Sequence, residues 1–244
     1  MKEGIFELSR QTRLTENMYK MTLSGDVSEI KRPGQFVNIK LDGFYLRRPI
    51  SVADCGEDNF DIIYKSVGAG TTYMSTLLPG AKLNILTGLG NGYDTSKSGD
   101  RPLLVGGGAG VPPLYLLTKE LIKKGASPTV VIGFNKADEI YYAEEFEHAG
   151  ARVIVTTADG SAGVHGFVTA ALPLCGEFTH VYACGPEPML KSVYDSTSCG
   201  GQYSFEERMG CGFGACMGCT CKTKYGAKRI CKEGPVLNRE EIIW

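Results

Sequence analysis

Eleven residues near the C-terminus, Cys211-Gly212-Phe213-Gly214-Ala215-Cys216-Met217-Gly218-Cys219-Thr220-Cys221, carry four of the nine cysteines, and a fifth follows at Cys231. Taken as a set, Cys211, Cys216, Cys219 and Cys231 leave four, two and eleven residues between successive thiols. That C-x4-C-x2-C…C spacing fits a [2Fe–2S] cluster, with Cys221 left over. Gly212, Gly214 and Gly218 let the backbone turn tightly around such a group. Zinc fits less well, because only Cys216 and Cys219 form a C-x2-C knuckle. A disulfide framework belongs to short secreted chains, and a redox C-x-x-C belongs at the start of a helix. This segment is too rich in glycine for that.

A chain of 244 residues makes one or two domains plus a small appendix. Its 26 basic and 27 acidic residues nearly cancel, so no net field points to nucleic acid or to an anionic membrane. No apolar run reaches spanning length and the first residues do not form an export sequence, so the cytoplasm is the expected compartment. The 32 glycines gather at 68–70, 88–92, 106–110 and 210–218, which suggests loops that approach ligands closely.

Up to about residue 97 the chain reads as short alternating strands: 5–8, 19–23, 36–41, 50–53, 60–64 and 82–86. Six such strands predict a small antiparallel barrel, with one short helix from Thr71 to Leu78. From 98 to 198 strands alternate with helices, the signature of a parallel sheet wound by crossovers. Strands are expected at 102–105, 129–134, 152–156 and 180–183, and helices at 111–124, 143–150, 167–173 and 187–196. Residues 199–244 form the cysteine-bearing part. The expected class is therefore an α+β multidomain chain of barrel, α/β domain and small cluster domain.

Three further stretches carry chemistry. Gly106 to Gly110 lies between an apolar strand and a helix, where bare N–H groups can cradle a pyrophosphate, although Val111 replaces the third glycine of the strict dinucleotide fingerprint. A tight turn without a ligand remains the alternative. Cys184-Gly185-Pro186 stands at the carboxyl end of a parallel strand, within reach of a nicotinamide, and a small buried cysteine reads equally well there. No arginine occurs between Arg101 and Arg152, which leans toward NAD, while Lys136 leaves NADP open. Arg47-Arg48-Pro49-Ile50-Ser51 offers guanidinium groups to a pyrophosphate, Tyr64 a ring to stack, and Gly70-Thr71-Thr72 a second anion site. Solvated surface arginines are the commoner case.

Together, Arg48-Pro49-Ile50-Ser51, Gly70-Thr71, Gly107-Gly108-Ala109-Gly110-Val111-Pro112-Pro113 and Cys184-Gly185-Pro186 resemble the ferredoxin reductase superfamily of flavin and nicotinamide enzymes. Within it, Glu206-Glu207-Arg208-Met209-Gly210-Cys211 through Cys216, closing with Cys231-Lys232-Glu233-Gly234-Pro235-Val236, is similar to the electron-transfer subunits of class 1B dihydroorotate dehydrogenases. The resemblance implies an FAD-binding barrel (1–97), an NAD-binding domain (98–198) and a [2Fe–2S] domain (199–244). It implies Arg48 on the FAD pyrophosphate, Pro49, Ile50 and Ser51 along the flavin, and Ile63, Tyr64 and Lys65 beside it. Gly70 and Thr71 would meet phosphate, and Cys211, Cys216, Cys219 and Cys231 would ligate the cluster. It further implies an FMN-containing catalytic partner, two of each subunit in a heterotetramer, and electron flow from dihydroorotate to NAD in pyrimidine biosynthesis. The nearest alternative is the flavin and iron–sulfur subunit of a hydrogenase or a ferredoxin:NAD(P) oxidoreductase. A non-catalytic zinc-bearing module is the rival from another class.

Overall fold

The computed structural model describes residues 1–244. Six strands, β1 (Lys2–Arg13), β2 (Met18–Ser24), β3 (Phe36–Ile39), β4 (Arg48–Cys55), β5 (Asn59–Lys65) and β6 (Lys82–Leu89), close into an antiparallel barrel of order β1-β2-β5-β4-β3-β6. Alternation puts Phe6, Leu8, Met21, Leu23, Val37, Ile39, Val52, Phe60, Ile62 and Tyr64 inside. β1 runs well beyond the expected 5–8 because it pairs with β6 through its first half and with β2 through its second. Helix α1 (Ala69–Ser75) drops Met74 into the barrel core and so closes one end.

The second sheet begins with parallel strands β7 (Pro102–Gly107), β8 (Thr129–Phe134), β9 (Arg152–Thr157), β10 (Val164–His165) and β11 (His180–Cys184). Helices α2 (Pro112–Lys123) and α3 (Ala143–His148) connect β7 to β8 and β8 to β9, and α4 (Glu187–Asp195) follows β11. Between Val168 and Leu174 the chain forms a 3-10 helix around Pro173, whose missing N–H and ring disfavour α-helical continuation.

The C-terminal part differs from a separate appendix. β12 (Gly201–Ser204) pairs in parallel with β11. A hairpin follows from β13 (Thr220–Thr223) and β14 (Gly226–Arg229), and β15 (Val236–Asn238) then returns antiparallel to β12, with Ser204 opposite Val236. Seven strands result, in the order β10-β9-β8-β7-β11-β12-β15.

Two shared cores lock the parts together. Phe36, Leu86 and Leu89 of the barrel pack in one cluster with Val105, Val181 and Tyr203 of the sheet and with Cys219, Ile230 and Cys231. Ala53 and Ile63 join Val111, Leu114 and Leu117 in another. Asn91, just past β6, donates from Nδ2 to the Glu233 and Val236 carbonyls (3.1 and 2.7 Å) and accepts from the Val236 N–H (3.1 Å). The Tyr93 hydroxyl donates to the Ala183 carbonyl at 3.1 Å.

Candidate functional site

The cysteine loop is built on left-handed turns. Gly212 (φ 77°) and Gly214 (φ 92°) take conformations that glycine adopts freely, and Met217 (φ 62°) takes one that it does not. Thr220 pins that last turn, its N–H and hydroxyl both donating to the Met217 carbonyl (3.2 and 2.6 Å). Arg229 braces the loop from behind, donating from Nη1 to the Gly214 carbonyl (2.5 Å) and from Nε to Glu233 (2.9 Å).

The thiols fall into two pairs. The Cys211 sulfur accepts from the N–H groups of Ala215 (3.2 Å) and Cys216 (3.4 Å), and the Cys216 sulfur accepts from the Cys211 N–H (3.4 Å). The Cys219 sulfur accepts from the Cys231 N–H at 3.4 Å. No three His, Cys, Asp or Glu residues converge as a single-ion site requires. Two neighbouring thiol pairs suit a cluster in which each of two irons takes two sulfurs. Partial burial pushes the Cys211 thiol up, but the N–H groups of Cys216, Phe213 and Ala215 outweigh it and hold it at about 6. The Cys231 thiol is pushed up to about 12 by burial and by neighbouring Cys219. Cys219 and Cys231 are buried and Cys216 is exposed, so one edge of the loop faces solvent.

At the barrel rim the two arginines part company. Arg47 is spent on structure: Nη1 donates to the Asn38 and Asn84 carbonyls (3.2 Å each) and Nη2 pairs with Glu3 (2.8 Å). Arg48 lies over the Phe44 ring, 5.0 Å from its centroid, and donates to the Leu46 carbonyl. A β-carbon on Gly70 would stand 2.3 Å from Arg48 Nε, so the missing side chain at 70 leaves the guanidinium its place. The Thr71 hydroxyl turns back to accept from the Val67 and Gly68 N–H groups (3.0 and 3.2 Å).

Arg48, Pro49 and Gly68 line a cavity of about 1270 Å³, whose other walls include Gly185 and Pro186, Phe205 to Met209, and Cys221 with Lys222. It lies where barrel, sheet and cysteine segment meet, and it is large enough for a dinucleotide-sized ligand. Its charged walls, Arg48, Glu187, Glu206, Glu207, Arg208 and Lys222, mix both signs.

Gly107 to Gly110 and Cys184 to Pro186 also meet. Gly106 pairs with Cys184 in the sheet, and a β-carbon on Gly107 would strike Met189 Sδ at 2.5 Å. Tyr141 holds the loop by donating to the Gly108 carbonyl at 2.7 Å. Ala109 lies in the single 3-10 turn Gly108–Gly110 that opens onto α2. Burial pushes the Cys184 thiol up to about 12, with Glu206 adding to the rise, so this is a neutral thiol.

Not every expected residue faces the cavity. Tyr64 is buried in the barrel, stacked on Tyr19 at 5.9 Å, so its ring offers no stacking face to a ligand. Ile50 packs against the barrel core, Ile63 packs toward α2, and Lys65 is exposed at the strand end. Pro49 and Ser51 lie on the outer face of β4, opposite Asn38 and Phe36. Sequence reasoning missed Glu206 as a wall residue, Asn38 against the cysteine loop, and the Arg229–Glu233 brace. Glu206 alone had a signal, from its place just ahead of the first cysteine.

Two family models match the chain: an oxidoreductase NAD-binding domain over residues 104–195, and the iron–sulfur cluster binding domain of dihydroorotate dehydrogenase B over residues 206–243. The dihydroorotate dehydrogenase B (NAD(+)) electron transfer subunit of Fusobacterium nucleatum subsp. nucleatum is 42% identical, over 96% of each chain. The chain belongs to this family of electron transfer subunits. A Geobacillus member is 41% identical over 100% of this chain and 99% of its own. Among solved structures, an NADH-dependent reduced ferredoxin-NADP oxidoreductase aligns with TM-score 0.89 and 31% identity, over 99% of this chain and 90% of that one. A ferredoxin NADP+ reductase from Neisseria gonorrhoeae, 15% identical with TM-score 0.69 over 80% of this chain and 90% of its own, shares the fold. As a member of the electron transfer subunit family, the chain is an oxidoreductase subunit with an NAD-binding domain and an iron–sulfur domain. No helix is long and apolar enough to cross a membrane.

Proposed function

We propose that this chain relays electrons between an FMN-containing dihydroorotate dehydrogenase catalytic subunit and NAD, through a [2Fe–2S] cluster and FAD, in pyrimidine biosynthesis. The observation that carries the reading is the meeting of Arg48, Gly185 and the 205–209 segment around one cavity, with the paired cysteines on the adjoining loop. The bound groups supply the chemistry: hydride exchange between nicotinamide and flavin, and one-electron relay through the cluster. The chain's own work is placement. Arg48 is assigned to the FAD pyrophosphate with Gly70 and Thr71 beside it, and Pro49 and Ser51 to the flavin flank. The backbone of Ile50, Ile63, Tyr64 and Lys65 completes that flank, since their side chains point elsewhere. Gly107, Gly108, Ala109 and Gly110 would hold the NAD phosphates, and Cys184, Gly185 and Pro186 would flank its nicotinamide. Cys211, Cys216, Cys219 and Cys231 would hold the [2Fe–2S] cluster, which would supply the one-electron step.

The exposed edge at Cys216, with Phe213 and Met217 also exposed, supports this as the face met by the catalytic partner, two of each subunit forming a heterotetramer. Nine cysteines without a disulfide support a cytoplasmic setting. The likeness to the NADH-dependent ferredoxin-NADP oxidoreductase favours a second reading, a ferredoxin:NAD(P) oxidoreductase subunit; the curated relatives are more similar, at 42% against 31%. The test is an absorption spectrum of the anaerobically purified chain, with iron and flavin assays, before and after NADH. Flavin and cluster bands that both bleach, with dihydroorotate oxidation only once the catalytic subunit is added, bear out the proposal. A colourless chain, or reduction of ferredoxin without any response to the catalytic subunit, overturns it.

A further inference from the structure

We infer that Asn38 is a positioning residue that docks the cluster-binding loop onto the flavin-side wall of the barrel and tunes the cluster through its first ligand. The inference rests on the cofactor reading above. Asn38 sits in β3, only 1% exposed, on the face that also carries Phe36. Its Nδ2 donates to the carbonyl of Cys211 at 3.2 Å, a contact across more than half the length of the chain. From the other side, Gly212 presses its bare Cα against the same amide, and a β-carbon there would stand 2.2 Å from Nδ2. At this point Gly212 lies so close to the Asn38 amide that there is no room for a side chain at 212.

The same asparagine is tied to the flavin flank. Its cross-strand partner is Pro49, so the two side chains share a face of the sheet, and Pro49 lines the cavity. Its own carbonyl accepts from Arg47, whose other end is anchored on Glu3, so the backbone bearing the amide is itself fixed. Asn38 Oδ1 is buried with no partner. A buried amide that leaves its acceptor unused is costly, and an apolar residue would avoid that cost. The donor half is therefore the part that matters. Its N–H dipole points its positive end at the peptide that follows Cys211, which favours the more negative, reduced form of a cluster held there.

The experiment compares the full-length wild type with Asn38→Leu, which is close in size and lacks the donor, and with Asn38→Ala. Each is purified anaerobically and assayed for flavin, iron, cluster midpoint potential by electron paramagnetic resonance titration, and rate of cluster reduction after NADH. The expected result is a flavin content equal to the wild type, a lower cluster potential, and cluster reduction slowed roughly tenfold. Loss of iron with flavin retained also supports docking at Asn38. Wild-type potential and wild-type rate in both variants overturn the inference. Should both fail to fold, Gly212→Ala pushes the same amide from the loop side, and unchanged potential and rate there overturn it equally. A wild-type chain without flavin or cluster defeats the underlying cofactor reading instead, so the two failures are distinct.

Discussion

A β-carbon placed on Gly110 would lie 2.2 Å from the carbonyl oxygen of Cys184. The obstacle is backbone, which cannot rotate aside as a side chain would. Gly110 thus lets the turn after β7 nest against the end of β11, and the two candidate nicotinamide segments form one surface. Gly110→Ala is expected to cost about 1–3 kcal/mol by overpacking and to raise the KM for NADH roughly tenfold while flavin content holds. Steady-state NADH oxidation with an artificial acceptor measures it. An unchanged KM would place NAD elsewhere.

The two rim arginines should separate cleanly by substitution. Arg48→Ala removes the guanidinium that lies over Phe44 and beside Gly70, tied only to the neighbouring Leu46 carbonyl, and FAD binding should weaken by about 1.5–3 kcal/mol, roughly 10- to 100-fold. Arg47→Ala should instead lower the melting temperature, because its two bonds to backbone carbonyls and its Glu3 pair are structural. Flavin titration of the apoprotein and thermal melts tell the two apart. Equal loss of FAD in both variants would refute the division.

His180 supplies a pH dependence. It is 6% exposed, packed 4.8 Å from the Tyr182 ring, with its ring nitrogen 3.5 Å from the Gln202 amide. Burial lowers it from 6.5 to about 4, so the unfolded chain takes up this proton before the native chain does. The contribution is whole above about 6.5 and is lost as pH falls toward about 4. Between about pH 7 and about pH 5 the loss should be about 2 kcal/mol, on the order of 4–8 °C in melting temperature. His180→Gln should flatten that slope. A slope equal to the wild type would show that other groups set it.

Cys221 tests the ligand set. It faces Lys228 across the β13–β14 hairpin and takes no part in the four sulfur-accepting contacts that pair the other thiols. Cys221→Ser should keep the full iron content and cluster spectrum, whereas serine at Cys211, Cys216, Cys219 or Cys231 should lower both. Iron loss from Cys221→Ser alone would reassign the fourth ligand.

The barrel and the parallel core were legible because their strands alternate or run apolar over several residues, as at 60–64 and 129–134. Gly201–Ser204 and Val236–Asn238 were not, because segments of four and three residues carry no period. Long-range pairing alone makes them strands. The thiol spacing and glycine runs announced cofactors, since their chemistry demands those residues at those intervals. Asn38 gave no such signal: a polar residue inside an alternating strand looks like any outward-facing position until its partner, far along the chain, is in place. Tyr64 misled for the opposite reason, because β5 turns that ring inward while strand periodicity leaves open which face is the core.

Ser204 and Val236 are partners on one rung of the sheet, so the stretch that carries the cluster leaves and re-enters the fold at a single point. Stitched at both feet and clasped by Asn91 beside the second, it has no slack with which to act as a swinging carrier. Electron transfer through this segment is therefore expected to be insensitive to solvent viscosity, because its anchors leave it no arm to swing.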